Sequence, residues 1–176
     1  MKNLKIQPPR ADEYDVYYER YVSLVAGEDI ISALQNQITN TLDLLGKIDA
    51  EKADFRYADG KWSVKELVGH VVDTERIFAY RALRIARGDA TPIEGYEQDD
   101  YIKNADFAAC RLADLAEEFS LVRRANVLMF QNLTADAWQR RGTANNKEIS
   151  VRALAYICAG HEIYHTDILK QRYLVG

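Results

Sequence analysis

An all-α fold, a four-helix bundle with long crossover loops, is what this 176-residue chain predicts. Three observations carry that expectation. Four long segments set their apolar residues on one face, with the period of an amphipathic helix. The three prolines, Pro8, Pro9 and Pro92, all fall outside those segments, so nothing breaks the helices from within. No segment alternates with period two over a useful length, so no sheet is expected.

The first helix runs from about Asp29 to Ile48. Ile31, Leu34, Ile38, Leu45 and Ile48 share a face, and Thr41 stands at the missing step. The second opens at Ser63-Val64-Lys65-Glu66, a capping box in which the Ser hydroxyl and Glu carboxylate satisfy orphan backbone donors. It continues through Leu67, Val71, Phe78, Ala82 and Ile85, and Gly88 ends it. The third spans about Asp106 to Asn132, striped by Leu112, Leu115, Phe119, Val122, Met129 and Leu133, with the polar Asn126 on the stripe. The fourth starts from Ser150 as N-cap and runs to about Tyr173. Loops at 49–62, 88–105 and 133–149 join them. Four amphipathic helices with one core face each make a bundle. The Tyr-rich, acidic stretch from Asp12 to Gly27 is expected to add a short helix on the outside.

The composition, 48% hydrophobic and 28% charged, suits one domain over residues 1–176. A net charge of −4 and the absence of a Lys/Arg run give no reason to expect nucleic acid. No apolar stretch is long enough for a membrane helix, and the N-terminus lacks the apolar core of a signal peptide. The expectation is a cytoplasmic protein whose two cysteines, Cys110 and Cys158, stay reduced.

Three histidines then decide the functional reading. The core stripe of the fourth helix reads Val151, Leu154, Cys158, His161, His165, Ile168, Arg172. His161 and His165 thus occupy seam positions one turn apart, where Leu would be expected. Two imidazoles so placed can point at one atom. Burying neutral imidazole is unfavourable unless its nitrogens find partners, and a metal ion satisfies both rings at once. His70, at the border of the second helix's apolar face, is the third candidate ligand. Three histidines with open positions describe a catalytic-type site for a divalent metal (zinc, nickel or iron, with copper also compatible) acting on a small-molecule substrate.

His161-Glu162-Ile163-Tyr164-His165 also matches the H-E-x-x-H of zinc peptidases, in which the Glu is general base. The context argues against that. No Gly and third His follow at the metzincin spacing, no Glu follows His165, and no strand pattern exists to align a peptide. Glu162 reads as incidental.

The segment from Gly60 to Arg76, GKWSVKELVGHVVDTER, taken with Gly160-His161-Glu162-Ile163-Tyr164-His165, resembles the DinB-like superfamily, the DinB/YfiT type. Tyr80 to Arg84 and Leu133 to Trp138 are similar too, and the resemblance runs from about Tyr21 to Leu174. It implies a four-helix bundle, a metal among one His of the second helix and two of the last (here His70, His161 and His165), and a homodimer. It also implies, for some members, transfer or isomerisation chemistry with a low-molecular-weight thiol such as bacillithiol, mycothiol or glutathione. A metal at such a site lowers the pKa of a bound thiol or water. Thiol transfer to an electrophile is therefore the leading expectation. Metal-dependent hydrolysis, or a non-catalytic metal- or ligand-binding bundle, is the alternative.

Metal-bound His commonly donates its second N–H to a carboxylate. Glu66 and Asp73, one turn either side of His70, are candidates, with Asp167 on another face; an exposed helix charge is the plainer reading of each. Glu75 is expected to reach another helix and pair with an Arg. Cys158 reads as a small core residue rather than a fourth ligand. Thr41 and Asn126 are expected to line the metal pocket. The tract Gly95 to Tyr101 is expected to cover the open end of the bundle.

Overall fold

The computed structural model describes residues 5–25 and 27–174. In chain order its helices are α1 (Glu19–Val22), α2 (Ile30–Leu45), α3 (Ala50–Ala53), α4 (Val64–Ala86), α5 (Gln98–Asn104), α6 (Leu112–Gln131), α7 (Ala135–Gln139) and α8 (Val151–Ile168). The long ones, α2, α4, α6 and α8, are the four predicted helices and form the bundle. The capping box at Ser63 is present: Ser63 N–H donates to Glu66 Oε2 at 2.6 Å and Glu66 N–H to Ser63 Oγ at 3.2 Å. Asp29 and Ser150 cap α2 and α8 in the same way, each accepting a backbone N–H in the first turn.

α4 and α2 both pack between α6 and α8. Two hydrophobic clusters fill the bundle. One gathers Ile30 and Leu34 of α2, Phe78 and Ile85 of α4, Phe130 of α6 and Leu154 of α8. The other gathers Leu45, Val68, Phe119 and, beyond the end of α8, Leu169. Following each helix from one cluster to the other gives its direction. α2 and α8 run one way, α4 and α6 the other. The parallel pair α4 and α6 therefore needs a long connection, which explains the extended 87–111 segment.

Several expectations are corrected. The third helix begins at Leu112, because Cys110 and Arg111 are extended and a separate 3-10 turn holds Phe107–Ala109. The 49–62 and 88–105 loops contain α3 and α5. The 133–149 loop contains α7 and a hairpin, β1 (Arg141–Ala144) with β2 (Lys147–Ser150). Its turn residues, Asn145 and Asn146, have φ of 51° and 60°, the left-handed pair that a two-residue hairpin turn demands. Past Ile168 the chain makes a π-helical turn over Leu169–Tyr173. That turn shifts the stripe, so Tyr173 is buried and Arg172 is exposed.

The Asp12 to Gly27 segment, of which Ala26 lies outside the described residues, is not an outer helix. It carries 3-10 turns and α1, and it drives Tyr21, Val22 and Val25 into the core against α8. Gly160 permits this approach: a Cβ there would stand 1.9 Å from the Tyr21 carbonyl oxygen. No helix among the described residues is long and apolar enough to cross a membrane.

Candidate metal centre

Between the two apolar clusters each long helix contributes polar residues at the same height. α4 supplies His70, Thr74 and Glu75, and α8 supplies His161, Glu162 and His165. α2 supplies Gln37 and Thr41, and α6 supplies Arg123. All are buried. This layer divides into two sites.

The first site holds the three histidines. His70, His161 and His165 are 3%, 5% and 8% exposed. One ring nitrogen or another of each lies within 4.8 Å of the others. His70 Nε2 and His161 Nε2 are 3.1 Å apart. Two nitrogens on one tetrahedral zinc would be separated by about 3.3 Å, from bond lengths near 2.0–2.1 Å. His165 Nδ1 is buried without a hydrogen-bond partner. Burial pushes His70 down to about 4 and His165 to about 3. It also pushes His161 well below the usual imidazole range, with His165, His70 and Arg123 adding repulsion. All three rings are therefore neutral at pH 7, the form that ligates metal. The donor set, spacing and protonation state fit a divalent ion.

The rings are held by packing and one short chain of hydroxyls. Trp62 lies against His70 at 4.8 Å between centroids, Tyr21 meets His161 edge-on at 5.2 Å, and Tyr164 meets His165 at 5.2 Å. Thr74 Oγ1 is 3.4 Å from His70 Nδ1 and 2.7 Å from the Tyr96 hydroxyl. Gly69 makes room for Phe107 beside this turn, because a Cβ there would lie 2.3 Å from its ring. Phe78, Tyr96, His70 and His161 line a cavity of about 380 Å³. Its other walls come from the N-terminal tyrosines, the start of α5 and the hairpin tip at Asn145. Tyr96, Glu97, Gln98 and Asp99 of the Gly95 to Tyr101 tract thus line this cavity, which lies between the two clusters rather than at the open end of the bundle, and the tract is helical from Gln98 on.

The second site is a buried ion-pair network. Arg123, fully buried, donates Nε and Nη2 to the two Glu75 oxygens at 2.8 and 2.9 Å and Nη1 to Gln37 Oε1 at 2.6 Å. Asn126 Nδ2 donates to Glu75 at 3.0 Å. Gln37 Nε2 donates to the Ala159 carbonyl at 3.0 Å. Thr41 donates its hydroxyl to Glu162 Oε1, while Oε2 has no partner. Burial raises Glu162 to about 7, against the opposing pull of Arg123 and Thr41.

Glu75 therefore pairs with an Arg of another helix, as expected. Thr41 and Asn126 belong to this network and do not line the histidine cavity, which corrects the expectation for both. Asp73 sits 3.9 Å from Arg76, Glu66 is engaged by Ser63 and Arg56, and Asp167 meets Lys170 at 3.2 Å. None reaches a histidine, and the neighbour of His70 Nδ1 is Thr74. Cys158 is buried, and Glu75 and Arg123 are the charged groups that act on it. Burial raises its thiol well above the ordinary value, and it is not part of the histidine cluster. Sequence reading missed Tyr21 and Thr74, which have no signal beyond their type, and Arg81, which looks like an ordinary helix charge.

A four-helix bundle that brings three buried imidazoles together, two of them at the wall of a cavity, is the class that fold and site define. The chain belongs to the DinB superfamily: the family's sequence model matches residues 33–169. Three solved structures are similar. YfiT from Bacillus subtilis, described as a probable metal-dependent hydrolase with an unusual four-helix bundle topology, aligns with a TM-score of 0.68 at 13% identity. That alignment covers 93% of this chain and 91% of YfiT. A mycothiol-dependent maleylpyruvate isomerase aligns with a TM-score of 0.66 at 13% identity over 83% of this chain, which spans only 62% of the isomerase. The DinB-like protein YjoA from Bacillus subtilis aligns with a TM-score of 0.58 at 23% identity, over 81% and 87% of the two chains. At these identities the likeness is one of fold. A search of curated proteins gives no match.

Proposed function

We propose that this protein is a metal-dependent enzyme that transfers a low-molecular-weight thiol to a small electrophile, with His70, His161 and His165 as the metal ligands. The observation that carries the reading is the convergence of three buried, neutral imidazoles within 4.8 Å of one another, two of which, His70 and His161, line a cavity. When bound, a divalent ion on three imidazoles supplies charge that favours thiolate over thiol and leaves coordination positions open.

The protein's own residues do the rest. Neutral rings at pH 7 leave lone pairs available for ligation. The Thr74–Tyr96 hydroxyl pair beside His70 Nδ1 restrains that ring. Phe78, Tyr18 and Tyr21 supply an aromatic wall to the cavity beside His70 and His161. Transfer forms a carbon–sulfur bond as the leaving group departs with its bonding electrons. The thiol's proton passes to solvent on ionisation, so the sulfur needs no general base at the transfer step. Water attack normally does, and Glu162, the residue that would serve in a peptidase, is turned to Thr41 and Arg123.

Metal-dependent hydrolysis is the second reading, favoured by the fold likeness to YfiT. Both are tested together. The metal-loaded protein is incubated with glutathione, bacillithiol or mycothiol and an aryl chloride, and separately with an aryl ester. Thiol consumption that disappears in His161→Ala supports transfer. Metal-dependent ester cleavage without thiol consumption reverses the order.

A further inference from the structure

The histidine cavity contains a cation that the proposed chemistry does not use. Arg81 lines it and is 3% exposed. Its Nη2 donates to the Glu94 carbonyl at 2.9 Å, and its Nε is buried without a hydrogen-bond partner. The other deeply buried arginines are paired: Arg123 with Glu75 at 2.8 Å, and Arg152 with Glu13. Arg81 forms no ion pair with any carboxylate among the described residues. A buried guanidinium without a counter-charge is unfavourable, and a buried donor without an acceptor demands an explanation. A ligand that supplies both resolves it.

The position of Arg81 suits that role. His70, Thr74, Phe78 and Arg81 follow one face of α4 at steps of four, four and three residues. Long side chains on a helix lean toward its N-terminus, which carries the guanidinium back toward His70. Phe78 stands between the two poles: its ring is 5.9 Å from Arg81 Cζ and 5.9 Å from the His161 ring. The cavity thus has two of the three imidazoles, His70 and His161, at one end, a guanidinium without a counter-charge at the other and an aromatic wall joining them.

We propose that Arg81 anchors a carboxylate of the substrate, and that the substrate is a small monocarboxylate whose reacting carbon lies at the histidine end. The inference rests on reading this cavity as the substrate site of the proposed enzyme. Arg presents a planar fork of donors that matches a carboxylate, and a desolvated pair of this kind is strong. The cavity's other charges limit the choice. Glu97 and Asp99 are exposed at its mouth, and Asp15 is opposed by Lys147 at 3.3 Å. Screened rim carboxylates are weak beside a buried cation, but they disfavour a polyanion, so one carboxylate fits better than several.

Butyrate and butyramide, alike in shape and different in charge, are the probes. Each is titrated into the metal-loaded full chain and followed by saturation-transfer NMR. Butyrate is expected to bind at least about tenfold more tightly, the factor a hydrogen bond to a charged group commonly supplies. Arg81→Met should bring the two to parity with metal content and circular dichroism unchanged, and Arg81→Lys should keep part of the preference. Equal binding of the probes by the wild type, or binding of neither, overturns the proposal without any variant. So does a preference that persists undiminished in Arg81→Met, since it places the carboxylate on the metal. His161→Ala separates this inference from the functional one. An Arg81-dependent preference that persists after metal is lost supports the anchor independently. Full metal content with no preference overturns the anchor and leaves the metal centre intact.

Discussion

His70 Nε2 and His161 Nε2 stand 3.1 Å apart although 91 residues separate them in the chain. Helices α4 and α8 bring them together, and among the described residues neither ring donates a hydrogen bond to a carboxylate or backbone carbonyl that would explain why two imidazoles are buried side by side. The pairing makes several outcomes predictable.

The metal-free protein should be acid-sensitive through these rings. Their folded-state pKa values lie below the ordinary 6.5, at about 4 for His70 and about 3 for His165. The unfolded chain therefore binds more protons over this range. The stability is present above pH 6.5 and is lost as pH falls toward 4 and then 3. For His70 alone the loss between pH 7 and pH 5 is about 2 kcal/mol. Urea denaturation in the presence of a chelator measures it, and His70→Gln should lose correspondingly less over the same interval.

Glu162 should be dispensable for metal binding. Its carboxyl faces Thr41 and Arg123. Glu162→Gln is expected to keep full metal content and any thiol-transfer rate within a few-fold. A general base would cost about a hundredfold or more when removed.

Arg123→Met should be severely destabilising, by about 3–5 kcal/mol, because it leaves Glu75 buried without its counter-charge. Replacing both partners, Glu75→Leu with Arg123→Met, should recover much of that loss. Chemical denaturation of the two single variants and the double variant gives the coupling directly.

Gly160→Ala should displace the N-terminal segment. The added methyl meets the Tyr21 backbone, which cannot move independently of the Tyr21 ring packed on His161. A cost of about 1–3 kcal/mol is expected from overpacking. Weakened metal retention should accompany it, read by competition with a chelator.

How much of this was legible in the sequence follows from what sequence patterns encode. Helices α2, α4 and α8 were readable from the apolar period, and α4 and α8 also from their caps, Ser63 and Ser150, each of which accepts a first-turn N–H. The histidines were readable because His161 and His165 replace apolar residues on a seam. The network was not. Arg123 and Gln37 look like solvated helix residues until the helices assemble, and only Glu75 was suspected of crossing between them. The hairpin was missed because its strands have four residues each and its turn is Asn-Asn rather than Asn-Gly. Arg172 was misplaced because a π-helical turn changes the period that the stripe assumes.

Everything proposed for this site depends on His70, His161 and His165 holding a metal. Elemental analysis of the purified chain and of His161→Ala, before and after exposure to zinc, nickel and ferrous iron, tests it most directly. One divalent ion per wild-type chain is expected, with loss of that ion in a folded His161→Ala protein. A folded wild-type protein that acquires none of the three metals at neutral pH would contradict it.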